Sequence, residues 1–164
     1  MSDNVYLGNP NLKKANTPIE FTEEQIIEFV QCQRDPVYFA NKYVKIVSLD
    51  EGLVPFTPYR FQERLINNFH ENRFNICKMP RQTGKSTTVV SYLLHYAIFN
   101  DSVNIGILAN KAATARELLG RLQTAYENLP KWMQQGIIAW NKGSLELENG
   151  SKILAASTSA SAVR

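Results

Sequence analysis

From Phe21 onward, apolar residues recur at helical spacing. Thr22 and Gln25 make a capping-box pair, and Phe21 and Ile26 stand where a hydrophobic staple would bracket it. Ile26, Ile27, Phe29 and Val30 then give a first helix its apolar side. Asp35-Pro36 restarts the pattern as a helix cap followed by proline at the first helical position, with Phe39, Ala40 and Tyr43 as its apolar residues. Residues 44–56 read as a connector. Thr57-Pro58 repeats the cap-plus-proline signature, and Phe61, Leu65, Ile66 and Phe69 line one face of a third helix.

After residue 72 the texture changes. Arg73 to Lys78 is a short, partly apolar run that predicts a strand. Residues 85–99 carry Val89, Val90, Leu93, Leu94, Ala97 and Ile98 at helical spacing. Asp101 and Ser102 turn the chain into VNIGILA, a continuous apolar stretch that predicts a strand buried on both faces. A further helix is predicted over 111–129, with Ala115, Leu118, Leu119, Leu122 and Tyr126 on one side and Pro130 past its end. Strand, helix, strand, helix is the order of a parallel sheet with crossover helices. The stretch SLELENGSKIL then predicts a hairpin. A loop over Glu148–Gly150, with Gly150 left-handed, would pair Glu146 with Lys152 and Leu145 with Ile153. Residues 1–20 lack periodicity and are expected to form a mobile arm. Residues 21–72 would form a small helical subdomain, and 73–164 an α/β core.

Composition changes this picture little. A chain of 164 residues with 44% hydrophobic and 20% charged residues can bury one core. Its net charge of +3 permits an anionic partner without requiring one. No apolar run is long enough to span a membrane, and the polar first residues hold no signal-peptide core. Cys32 and Cys77 lie far apart, and His70 and His95 do not complete a metal-ligand spacing with them.

The candidate chemistry lies in ICKMPRQTGKSTTVV, residues 76–90, where a predicted strand meets a predicted helix around Gly-Lys-Ser. A phosphate loop needs backbone N–H groups converging on an anion, a helix N-terminus behind them, and a cation. Gly84 lets the backbone pass close to phosphates, Lys85 can reach the β- and γ-oxygens, and Ser86 can offer a hydroxyl to Mg²⁺, with Thr87 as a substitute. Met79 stands where the pattern has its first glycine, so Met79-Pro80 must enter the turn by another path. Gln82 and Thr83 complete the loop. The competing reading is a helix start with an ordinary surface lysine.

Arg81 inside the loop is placed to stabilise charge on a transferring phosphoryl group, or else to form a surface salt bridge. Gln62, on the helix before the strand, carries an amide that can read adenine's edge, although a glutamine on an amphipathic helix is ordinarily just solvated. Lys111, Arg116 and Arg121 on one helix are candidates for contacting DNA, against the simpler reading of a solvated face. Hydrolysis in this class of ATPase also needs a later strand ending in Asp-Glu. Asp50-Glu51 precedes the loop and reads as a turn, and no such pair follows residue 85, so the catalytic acids are absent and an unfinished sheet is expected.

The stretches LGNPNLKKAN, DPVYFANKYV, RQTGKST, IGILANKAATARELL, GIIAWNKGSLELENGS and SASAVR, in that order, resemble the large terminase subunit of tailed phages, T-even branch. The resemblance implies the N-terminal part of a packaging ATPase, with a partial P-loop NTPase sheet of the ASCE type behind a small helical subdomain. It implies ATP and Mg²⁺ as cofactors. The candidate nucleotide set is Gln62, Gln82, Thr83, Gly84, Lys85, Ser86 and Thr87, with Ser86 also on the metal and Arg81 catalytic. Implied partners are double-stranded DNA, the portal protein and the small terminase subunit, with a homo-oligomeric ring at the portal and no membrane. The setting would be the host cytoplasm. The family's nuclease domain has no counterpart in these residues. Two alternatives stay open: a superfamily 2 helicase or DNA translocase fragment, and a non-hydrolysing regulator that binds portal or DNA.

Overall fold

Thr22 Oγ1 accepts from the Gln25 N–H at 3.2 Å, and Gln25 Oε1 accepts from the Thr22 N–H at 3.1 Å. The predicted box thus starts α1, Glu23–Arg34. In this computed structural model, which describes residues 4–48 and 50–158, Phe21 packs edge-on against Phe29 at 6.2 Å, while Ile26 and Ile27 stay exposed. Asp35 caps α2, Pro36–Tyr43, as expected: its Oδ1 accepts from the Tyr38 N–H at 2.9 Å. The connector read at 44–56 is in fact an antiparallel hairpin of β1, Lys45–Ser48, and β2, Gly52–Pro55, and Asp50-Glu51 lies in its turn. Each strand is only four residues long, so neither builds a pattern that periodicity can detect.

The third helix, α3, runs Arg60–Glu71, two residues later than Thr57-Pro58 suggested. Its first turn is closed by Gln62, whose Oε1 accepts from the Tyr59 N–H at 2.9 Å. Helix α4, Lys85–Phe99, buries Val90, Leu94, Ala97 and Ile98. Strand β3, Asn104–Ala109, follows, and then α5, Ala112–Glu127, which buries Ala115, Leu119, Leu122 and Tyr126. The last strands are β4, Ile137–Trp140, β5, Ser144–Leu147, and β6, Lys152–Ser157.

The main sheet has the order β3-β6-β5-β4 and is mixed rather than parallel: β3 and β6 run parallel, and the other two pairs run antiparallel. The hairpin register is the predicted one, with Leu145 opposite Ile153, Glu146 opposite Lys152, and Gly150 left-handed at φ 81°. Helix α5 lies across β3 and β6, α4 lies beside α5, and α2 and α3 pack against α4. One face of β3 is therefore covered and the other is not. Ile107 is buried, whereas Leu108 and its sheet neighbour Leu154 are about half exposed. The strand was expected to be buried on both faces, but no helix among the described residues covers the second one.

Two further outcomes differ from expectation. Residues 74–78 pair with no strand among the described residues, and Phe74 and Ile76 are open to solvent at 83% and 101% exposure. The described part of the N-terminal arm, by contrast, is held in place. Leu12 and Lys13 are buried, the Ile137 N–H donates to the Lys13 carbonyl at 2.9 Å, and Lys13 Nζ pairs with Glu148 at 2.8 Å. Backbone bridging and polar side chains hold this segment, and neither leaves an amphipathic period in sequence. The quoted SASAVR lies outside the described residues. Among the described residues no helix is long and apolar enough to cross a membrane.

Candidate functional site

The segment from Met79 to Thr87 turns tightly into α4. Positive φ falls at Gln82, 61°, and Gly84, 71°. Met79 is not among the left-handed residues, so a β-carbon is tolerated where the pattern has glycine. A left-handed Gln82 is a mild strain of the kind that collects at binding loops. Thr83 Oγ1 donates to the Pro80 carbonyl at 3.1 Å and closes the turn from inside.

Lys85 folds back across this loop, and its Nζ donates to the Met79 carbonyl at 3.3 Å. The first intrahelical bond of α4 is Thr88 N–H to Gly84 carbonyl, 3.0 Å. The N–H groups of Gly84, Lys85, Ser86 and Thr87 therefore precede the ladder, and none meets an acceptor among the described residues. Four free donors, the positive end of the helix dipole and an ammonium group share one small volume, which suits an anion with several oxygens.

The remaining candidates separate. Ser86 is half-buried, and its hydroxyl has no partner among the described residues. Thr87 instead lines a groove of about 740 Å³ between α4, α5 and β1, shared with Val90, Ile46 and Thr124. Arg81 and Gln82 are exposed, and Arg81 makes no ion pair among the described residues, so the salt-bridge reading finds no support. Gln62 is buried at 3% exposure against the loop, with Nε2 donating to the Thr83 carbonyl at 3.4 Å. Lys111, Arg116 and Arg121 are all exposed, and Arg121 is paired with Glu117 at 2.7 Å.

Sequence reasoning missed Asn149 in the hairpin turn. Its Nδ2 donates to the carbonyls of Ala97 at 2.9 Å and Asn100 at 3.1 Å, and Ser151 Oγ donates to Asn100 at 2.8 Å. The turn thereby caps the far end of the helix whose near end forms the loop. Asn-Gly announces a turn in sequence but does not say which helix the amide will reach.

The family described as "Terminase large subunit, T4likevirus-type, N-terminal" matches residues 76–164. That stretch carries the loop, α4, β3, α5 and the strands β4 to β6.

Proposed function

The chain belongs to the T4likevirus-type large terminase subunit family, through that family's N-terminal part, and from this premise we propose that it is the ATP-binding portion of a DNA-packaging motor. The reading rests on one observation. Lys85 Nζ lies over the loop, 3.3 Å from the Met79 carbonyl, beside N–H groups of residues 84–87 that have no acceptor among the described residues. A nucleotide's β- and γ-phosphates fit this donor set in charge and in number of acceptors.

Each side chain then has a defined duty. Lys85 exchanges the weak carbonyl contact for phosphate oxygens. Gly84 keeps the backbone close to them. Ser86 is the hydroxyl that would hold Mg²⁺, and its unengaged oxygen suits it better than Thr87, which faces the groove toward α5. Bound Mg²⁺ would supply divalent charge against the phosphate oxygens. Arg81, exposed at the rim and without an acidic partner, is placed to stabilise charge on the terminal phosphate. The partners that follow from this reading are double-stranded DNA, the portal protein and the small terminase subunit, with a ring of copies at the portal in the host cytoplasm. DNA cleavage would belong to a nuclease domain outside these residues. The family match favours this reading over a superfamily 2 fragment.

Calorimetric titration with Mg·ATP tests it. The 164-residue chain should bind ATP weakly, Lys85→Ala should reduce affinity at least about tenfold, and no turnover at a motor's rate should appear, because no Asp-Glu pair follows the loop. Binding untouched by Lys85→Ala would remove the phosphate site. Sustained turnover by this chain would remove the assignment of catalytic acids elsewhere. Portal or DNA binding that persists in Lys85→Ala, without any nucleotide affinity, would favour the regulator.

A further inference from the structure

An extended segment is recognised through its backbone donors and acceptors, with side-chain contacts adding selectivity. Residues 11–16 are held in that manner. The Ile137 N–H donates to the Lys13 carbonyl at 2.9 Å, and the Ala15 N–H donates back to the Ile137 carbonyl at 3.3 Å. Gln134, 2% exposed, extends the pairing with its side chain. Its Oε1 accepts from the Lys13 N–H at 3.0 Å, and its Nε2 donates to the Asn11 carbonyl at 3.0 Å. Glu148 holds backbone and charge together, accepting from the Asn16 N–H and from Lys13 Nζ, each at 2.8 Å. Leu12 is the buried apolar anchor. Gly136 leaves the room: a β-carbon there would lie 2.5 Å from the Ala15 Cα and 2.6 Å from Glu148 Oε2. Its own φ is not left-handed, so the absence of a side chain serves the approach of another main chain.

The join between this segment and α1 is built differently. Residues 17–21 hold no regular structure and make no hydrogen bond among the described residues. Ile19 and Phe21, with Phe29, Val30, Trp132 and Met133, line a cavity of about 440 Å³ that they leave unfilled. A firmly seated segment on a loosely packed connection is the arrangement in which the identical element of another copy can take the seat. We propose that Gln134, Gly136, Ile137 and Glu148 form a peptide-binding site, filled within one chain by residues 11–16, and that the same segment of a second copy is its occupant in trans. The site reads the backbone, Leu12 and the Lys13 ammonium, and every copy carries that ligand. Within one chain the tether presents it at about millimolar effective concentration, so dilute wild-type chain is monomeric and copies exchange segments only when brought close together. Nothing in this exchange depends on the phosphate loop.

Complementation between full-length variants tests it. Gly136→Ala fills the seat but keeps the segment. Leu12→Ala combined with Lys13→Ala spoils the segment but keeps the seat. Each alone should sediment as a monomer, and an equal mixture should give a one-to-one heterodimer by sedimentation velocity and native mass spectrometry. A capped peptide of residues 9–17 should bind the Leu12→Ala/Lys13→Ala chain. It should bind the Gly136→Ala chain at least about tenfold more weakly, and a peptide carrying Lys13→Ala should lose a similar factor, the scale of a charge-assisted hydrogen bond. If the double variant fails to fold, Lys13→Ala alone, which keeps the Leu12 anchor, takes its place in both measurements. No peptide binding would make the segment a permanent part of its own chain and overturn the proposal. Peptide binding without a heterodimer would show that the join does not let copies exchange, and would overturn the trans occupant. Dimers formed by Gly136→Ala alone would place the contact elsewhere and overturn it equally.

Discussion

Two short segments of strand-forming sequence meet opposite fates here. Leu145, Leu147 and Ile153 of the β5–β6 hairpin are each 1% exposed, and their register is the one their residue types predict. The run from Arg73 to Lys78 has comparable apolar content, yet Ile76 is fully exposed and the run pairs with no described strand. The difference lies in where the partners are. A hairpin strand finds its neighbour three loop residues away, so the pairing costs little chain entropy and the turn sets the register. A strand that leads into a crossover helix needs a partner distant in sequence, and no described strand flanks this one. A strand is a relation between segments, and apolar content alone does not create it.

The sharpest way to break this contrast is truncation within it. Leu145→Ala should cost about 3 kcal/mol in chemical denaturation, as cavity-forming changes in closed cores do. The matching change at the open run, Ile76→Ala, should have the smallest effect because its side chain is already fully exposed. If Leu145→Ala were nearly neutral, the hairpin would not be the anchored region.

Acid should attack the closed region before the open one. His95, on α4, is buried among Phe39, Tyr92 and Phe99, with Nε2 2.8 Å from the Cys32 carbonyl and Nδ1 unpartnered. Burial pushes its pKa down to about 4 from 6.5, against the raising effect of the backbone bond. Its folded pKa lies below its unfolded one, so the unfolded chain binds more protons between those values. Stability from this site is full above pH 6.5 and should decline by about 3 kcal/mol as pH falls toward 4. Denaturation curves at pH 7 and 4.5 check this, and His95→Phe should flatten the dependence.

Glu148 gives a smaller effect in a lower window. Burial raises its pKa, but Lys13 at 2.8 Å and the N–H groups of Gly136 at 2.7 Å and Asn16 at 2.8 Å outweigh it, so the net shift is downward from 4.5. The stability it contributes is present above that ordinary value and is lost as pH falls below it. Glu148→Gln should cost about 1.5 kcal/mol at pH 7 and remove the pH dependence in that range. It should also loosen residues 13–16, which limited proteolysis would detect. Ile76→Ala should change stability by less than about 0.5 kcal/mol. A cost above 1 kcal/mol would mean that the open run is packed in solution, and the comparison would fall.

Much of the candidate site was legible because its signals are local. Gly84-Lys85-Ser86 opening an amphipathic helix announces free N–H groups and a nearby ammonium, and the folded chain brings Lys85 over the loop. Gln62 was legible as a residue of interest but not in its contacts, because what its amide touches depends on a loop 21 residues further along the chain. Lys13 reaches Glu148 across 135 positions, and Asn149 reaches Ala97 across 52, distances over which no periodicity carries information.

The helix starts at Thr22 and Asp35, the register of the hairpin and the loop that opens α4 could all be read from neighbouring residues. Caps, turns and strand alternation act between residues only a few positions apart, so their physics is written in consecutive letters. What meets across the fold came only with folding: Lys13, Lys14 and Ala15 bridge to Ile137 at the β4 edge, Gln62 packs against the loop, Asn149 closes the far end of α4, and the run before the loop has no ladder among the described residues. Each of these depends on which surfaces meet, and segments far apart in the chain meet only once the whole core has formed.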